Sequence, residues 1–85
     1  MGVKLCYFAW VREQTGIDQE QVELPDGVTT ITDLIGWLKS RGPEFEMAFD
    51  QADVIRAAVD QAHVPHETPI RDASEIAFFP PVTGG

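Results

Sequence analysis

One amphipathic helix constrains this chain more than any other feature. Ile31, Leu34, Ile35 and Leu38 fall at the i, i+3, i+4, i+7 spacing of a single buried stripe. Thr30 stands where an N-cap belongs, with Asp33 three residues on. Lys39 and Arg41 favour the negative end of the helix dipole, and Gly42-Pro43 ends the pattern. Gly36 interrupts it at a cost of about 1 kcal/mol relative to alanine, which suggests close approach to a neighbouring element. Almost everything else reads as short strands. A helix of this length between strands implies a crossover, and a crossover makes one strand pair parallel.

The strands follow from alternation. Val3 to Trp10 reads as the first, with Val3, Leu5 and Tyr7 on one face and Phe8 and Trp10 on the other. Arg12-Glu13-Gln14 suits one helical turn closed by Gly16. Glu20 to Leu24 is a return strand with Val22 and Leu24 inward, stopped by Pro25-Asp26-Gly27. Pro43 to Asp50 suits a short helix offering Phe45, Met47 or Phe49 to the core. Val54 to Val59 is a strand, and a short one is expected near Val64 with Ile70 packed beneath. Asp72-Ala73-Ser74 is a turn, and Glu75 to Phe79 is the last strand. The order β-β-α-β-(β)-β, with first and last strands paired centrally, is an α+β β-grasp, a ubiquitin-like fold. Its mixed sheet of four to five strands packs on one main helix. Residues 1–79 form the domain, and residues 80–85 form a flexible C-terminal tail.

That tail carries the functional signal. Pro80 and Pro81 have no N–H, so they forbid further strand pairing and favour extended polyproline II. Val82 and Thr83 are β-branched and keep the chain extended. Gly84 and Gly85 bear no side chain, so the end fits a narrow channel. Gly85 is expected to be the true terminus, its α-carboxyl the reactive group.

No catalytic constellation accompanies it. The chain lacks a Gly-rich phosphate loop and a nucleophile with a local base. His63 and His66 have no thiolate or acidic partner at ligand spacing, so no metal site is expected. The single cysteine, Cys6, excludes an internal disulfide and reads as a small buried hydrophobe. A net charge of −8 argues against nucleic acid and suits steering toward a basic protein. No stretch is long enough to span a membrane, and the N-terminus resembles no signal peptide. The cytoplasm is the expected compartment. A domain with a projecting carboxylate and no active site reads as the carrier of a group.

The ordered series Phe78-Phe79-Pro80-Pro81-Val82-Thr83-Gly84-Gly85 resembles the MoaD/ThiS family of ubiquitin-like sulfur carriers, and within it the small subunits of molybdopterin synthases. Phe8-Ala9, Val11-Arg12-Glu13, Ala57-Ala58-Val59 and Glu75-Ile76-Ala77 add support along nearly the whole chain. Asp60-Gln61 stands where the family often has Asn-Gln, His63 where it is commonly apolar, and Ala73-Ser74 in place of a Gly-containing turn. The resemblance implies that a ubiquitin-activating-like adenylyltransferase uses ATP to adenylate the Gly85 carboxyl. A sulfur donor protein then converts it to a thiocarboxylate. The large synthase subunit receives the tail, residues Pro80, Pro81, Val82, Thr83 and Gly84 included. There sulfur passes to cyclic pyranopterin monophosphate to form the dithiolene. Catalytic residues then belong to the large subunit, and the assembly is a heterotetramer with two large subunits at its centre. No tightly bound cofactor is implied. Phe79 and Arg12 are the expected interface residues. The alternatives are a carrier for thiamine thiazole synthesis, a ubiquitin-like protein modifier, and a β-grasp interaction module whose terminus does no chemistry.

Overall fold

A computed structural model of the chain describes residues 2–81. Five strands form one mixed sheet in the order β2-β1-β5-β3-β4. The strands are β1 (Gly2–Tyr7), β2 (Gln19–Glu23), β3 (Arg56–Val59), β4 (Ala62–Val64) and β5 (Glu75–Phe79). β1 and β5 pair in parallel at the centre, with Leu5 opposite Ile76 and Tyr7 opposite Phe78. The flanking pairs are antiparallel. This is the β-grasp expected from the sequence, with the last strand central and its C-terminal end leading to the tail.

Helix α2 (Ile31–Lys39) makes the crossover. Thr30 accepts a hydrogen bond from the Asp33 backbone N–H, and the Asp33 carboxylate in turn accepts from the N–H and hydroxyl of Thr29. Backbone and side-chain hydrogen bonds from Thr29 hold the Asp33 carboxyl below the usual carboxylate range. The segment before β5 satisfies two more free N–H groups of the helix start, Thr32 donating to His66 O and Ile31 to Thr68 O. Ile31, Leu34, Ile35 and Leu38 are all buried, as the spacing required. Gly36 is not a close approach: a Cβ there would meet nothing within 4 Å. It lies on the exposed face of α2 and makes no contact that demands glycine.

The first strand is shorter than its alternation suggested. β1 ends at Tyr7, and the chain leaves the sheet through Ala9, which takes a left-handed φ of 52°. Trp10 then lies on helix α1 (Ala9–Thr15), two turns where one was expected. Val11 explains the change of direction: it is wholly buried, and only a helix brings it back to the core while leaving Trp10 outward. Gly16 closes α1 with φ 76°, its N–H donating to Arg12 O. Helix α3 (Pro43–Ala48) delivers Phe45, and Phe49 follows at its cap; Met47 points outward and is 64% exposed. A 3-10 turn (Ala52–Val54) occupies the place where the third strand was expected to begin.

The core is aromatic near the tail end of the sheet. Tyr7 stacks with Phe78, their ring centroids 6.3 Å apart, and Phe49 meets Phe78 edge-on at 5.2 Å. Phe45 and Phe49 both meet Tyr7 edge-on. The Tyr7 hydroxyl escapes this cluster by donating to Glu20 Oε2 at 2.7 Å. Arg41 closes the arrangement, donating to both Glu20 oxygens at 2.7 and 3.1 Å and lying over the rings of Phe45 and Trp37.

Candidate functional site: the root of the tail

Strand β5 splits its side chains between two tasks. Ile76 and Phe78 are fully buried, while Ala77 and Phe79 face the side of the sheet without helices. Phe78 thus fixes the strand from within, and Phe79 stands half-buried on the open face. The backbone is held on both sides up to this point: Phe8 N–H donates to Phe78 O at 3.1 Å, and Arg56 pairs with Phe79. Pro80 ends the ladder because it has no N–H to offer. Pro80 and Pro81 are half-buried and follow β5 without regular structure. Val82, Thr83, Gly84 and Gly85 lie outside the described residues.

Phe79 forms one wall of a groove of about 520 Å³ lined also by Arg56, Ala57, His63, Val64 and Pro65. The His63 ring packs against it at 5.1 Å. Phe8, 47% exposed, follows β1 beside Phe78 and adds apolar surface near the same strand end. An aromatic group half-open at a strand end suits a protein contact better than a catalytic role.

The expected site residues do not all converge. Phe79, Pro80 and Pro81 are consecutive at the tail root. Arg12 is exposed on α1 and pairs with Asp18, Nε to Oδ1 3.7 Å; no ion pair or ring contact joins it to Phe79. Arg56 and His63 do line the groove, and neither was expected at the interface. Arg56 was legible in principle, because a strand that buries Ala57 must turn Arg56 to the opposite face.

Other chemistry-bearing groups serve the fold. Cys6 is buried on the open-face side and donates its thiol to Glu75 Oε2 at 3.2 Å. Burial first, then this hydrogen bond and the Glu75 charge, raise the thiol pKa, opposite to what a nucleophile needs. His66 Nε2 lies 2.7 Å from Ile55 O and ties the loop to the start of β3. Among the described residues no group of three or more His, Cys, Asp or Glu side chains is placed to hold a metal. None of the helices there is long and apolar enough to cross a membrane.

Fold and site together define a ubiquitin-like β-grasp domain whose central last strand ends at Phe79 and is followed by Pro80 and Pro81. The sequence profile of the ThiS family matches residues 5–85, and the chain belongs to that family. It is 34% identical to the molybdopterin synthase sulfur carrier subunit of Haemophilus influenzae, over 98% of this chain and 99% of that one. Identity with the protein of the same name from Escherichia coli is 35%, with the same coverage. Among solved structures, SAMP1 from Haloferax volcanii superposes with a TM-score of 0.75 at 26% identity, covering both chains fully.

Proposed function

We propose that this chain is the sulfur carrier subunit of a molybdopterin synthase. Full-length similarity to proteins of that name supports the reading, and one observation carries it: β5 is held by its neighbours through Phe79, and two prolines and the sequence Val82-Thr83-Gly84-Gly85 follow. A carboxylate is a poor electrophile and must be activated. In this reading the Gly85 carboxylate attacks the α-phosphorus of ATP on an adenylyltransferase partner, and pyrophosphate leaves. A sulfur donor protein then delivers hydrosulfide, whose sulfur attacks the acyl carbon; AMP leaves, the S–H proton is lost to solvent, and a thiocarboxylate remains. The large synthase subunit takes the tail and directs that sulfur to the pterin precursor, once for each of the two dithiolene sulfurs. This chain supplies the anchored tail root, the Phe79 contact surface and the transferable group. The cytoplasm is the compartment in which these partners would be met.

Intact mass spectrometry tests it. Incubation with ATP, the adenylyltransferase and the sulfur donor should exchange one oxygen for sulfur at the C-terminus. Deletion of Gly85, or its amidation, should abolish both the exchange and dithiolene formation with the large subunit. An amidated chain that still supports dithiolene formation would overturn the assignment.

A further inference from the structure

The open face of the sheet is charged unevenly. Register places Lys4, Cys6, Glu75, Ala77, Phe79, Arg56, Ala58 and His63 on it, together with alternate residues of β2. Only two of the chain's 14 carboxylates hold strand positions on this face. They are Glu23, paired with Gly2, and Glu75, the first residue of β5, and both lie at the end away from the tail. The tail end presents Arg56 and His63 instead. No carboxylate lines their groove, and Arg56 forms no ion pair with any described residue. In a protein of net charge −8, Arg56 beside the half-buried Phe79 gives the tail end of this face a positive group that no carboxylate lining the groove offsets.

Resting on the carrier reading above, we propose that Arg56, with His63 beside it, reads a carboxylate on the protein that receives the tail. The fit is to an acidic side chain that sits over the Phe79 wall while an apolar group fills the groove. The guanidinium supplies a fork of N–H donors suited to a carboxylate, and the imidazole supplies one more. Phe79 gives area common to every docking event, whereas Arg56 adds a charge requirement that selects among partners. The occupant is therefore acidic where it meets β3 and β4, the reverse of the basic partner that net charge alone suggests.

The test is binding of the full chain to the large synthase subunit of the same organism, measured by calorimetry at low and high salt. Arg56→Leu should weaken binding about fivefold and Arg56→Glu by roughly thirtyfold or more at low salt, with the gap narrowing at high salt. A lysine in place of the matching acid on the large subunit should restore binding to Arg56→Glu. Arg56 is exposed on its strand, so the variants should melt like the parent; Arg56→Gln with its salt dependence gives a milder check. Arg56→Glu binding within twofold of the parent, or Arg56→Leu binding more tightly, overturns the inference and leaves the carrier reading intact. Failure of the parent chain itself to bind the large subunit overturns the carrier reading, and this inference with it.

Discussion

Consider a double-mutant cycle on Glu20 and Arg41. The two side chains join β2 to the end of α2 through hydrogen bonds of 2.7 and 3.1 Å. They are 17% and 29% exposed, so solvent screens the pair less than it would a surface ion pair. A charge-assisted, bidentate pair at this depth should couple by about 1.5–2 kcal/mol. Arg41→Met keeps the aliphatic stem on Trp37 and Phe45 but leaves Glu20 with only the Tyr7 hydroxyl. That single change should cost about 2–3 kcal/mol and lower Tm by roughly 10–20 °C. Glu20→Gln keeps the shape and an acceptor for Tyr7. The double mutant should be less destabilised than the sum of the singles, by the coupling energy. Acid titration gives a second readout. Burial opposes the Glu20 charge, but hydrogen bonds from Arg41 and Tyr7 outweigh it and hold the carboxyl below its ordinary value. On acidification the unfolded chain therefore takes up this proton first. The stabilisation is present above an unfolded value of about 4.3 and is lost as pH falls through the lower folded value. The stability gap between parent and Glu20→Gln should close across that window. Urea denaturation followed by circular dichroism measures both. A coupling under about 0.5 kcal/mol, or a gap indifferent to acid, would refute the claim that this pair locks the helical layer to the sheet.

Two further changes test the backbone reading. Gly36→Ala should stabilise the domain by about 0.5–1 kcal/mol, because the site is helical, exposed and empty around the missing Cβ; a lower melting temperature would show a contact that the open space excludes. Asp60 and Gln61 both take positive φ in the two-residue turn between β3 and β4, and Asp60 Oδ1 accepts from Ser74 N–H at 3.1 Å and Glu75 N–H at 3.0 Å. Asp60→Asn keeps an acceptor and tolerates the turn, so it should cost well under the roughly 2 kcal/mol expected for Asp60→Ala by chemical denaturation; equal losses would remove the side chain's role in seating β5.

The sequence made the architecture readable where periodicity and burial agree. The α2 stripe, its Thr30 cap and the inward residues of β1 and β5 follow from spacing alone, because each buries one face and exposes the other. Legibility failed where one residue outweighed a pattern. Phe8 and Trp10 continue the alternation of β1, yet Val11 draws the chain into a helix and Ala9 accepts a left-handed turn. Gly36 looked like a packing glycine because a costly residue invites a reason, and spacing could not reveal the open space around it. At the site, Phe79 was legible from strand parity, whereas the neighbourhood of Arg56 depends on a three-dimensional pairing across β5. Arg12 was expected at the rim by resemblance; its ion pair with Asp18 depends on how the α1–β2 loop folds back.

The same parity ties the position of Phe79 to the packing of the core. Adjacent residues on a strand point to opposite faces, so Phe78 and Phe79 cannot both be buried against the helices. Phe78 takes the core and binds the strand end to Tyr7 and Phe49. Phe79 is thereby forced outward, half a strand repeat from the anchor, with its backbone still held by Arg56. Any partner gripping Phe79 would thus grip a position set by the buried cluster of Tyr7, Phe49 and Phe78. Pro80 then ends the hydrogen-bonded register immediately beyond it. A one-residue slip of β5 would bury Phe79 and expose Phe78, moving the tail root and reversing the face a partner meets. Packing in the aromatic cluster therefore sets where Phe79 stands; with Phe79 as the proposed contact, substitutions that loosen Phe49 or Tyr7 should weaken partner binding even though neither side chain reaches the surface.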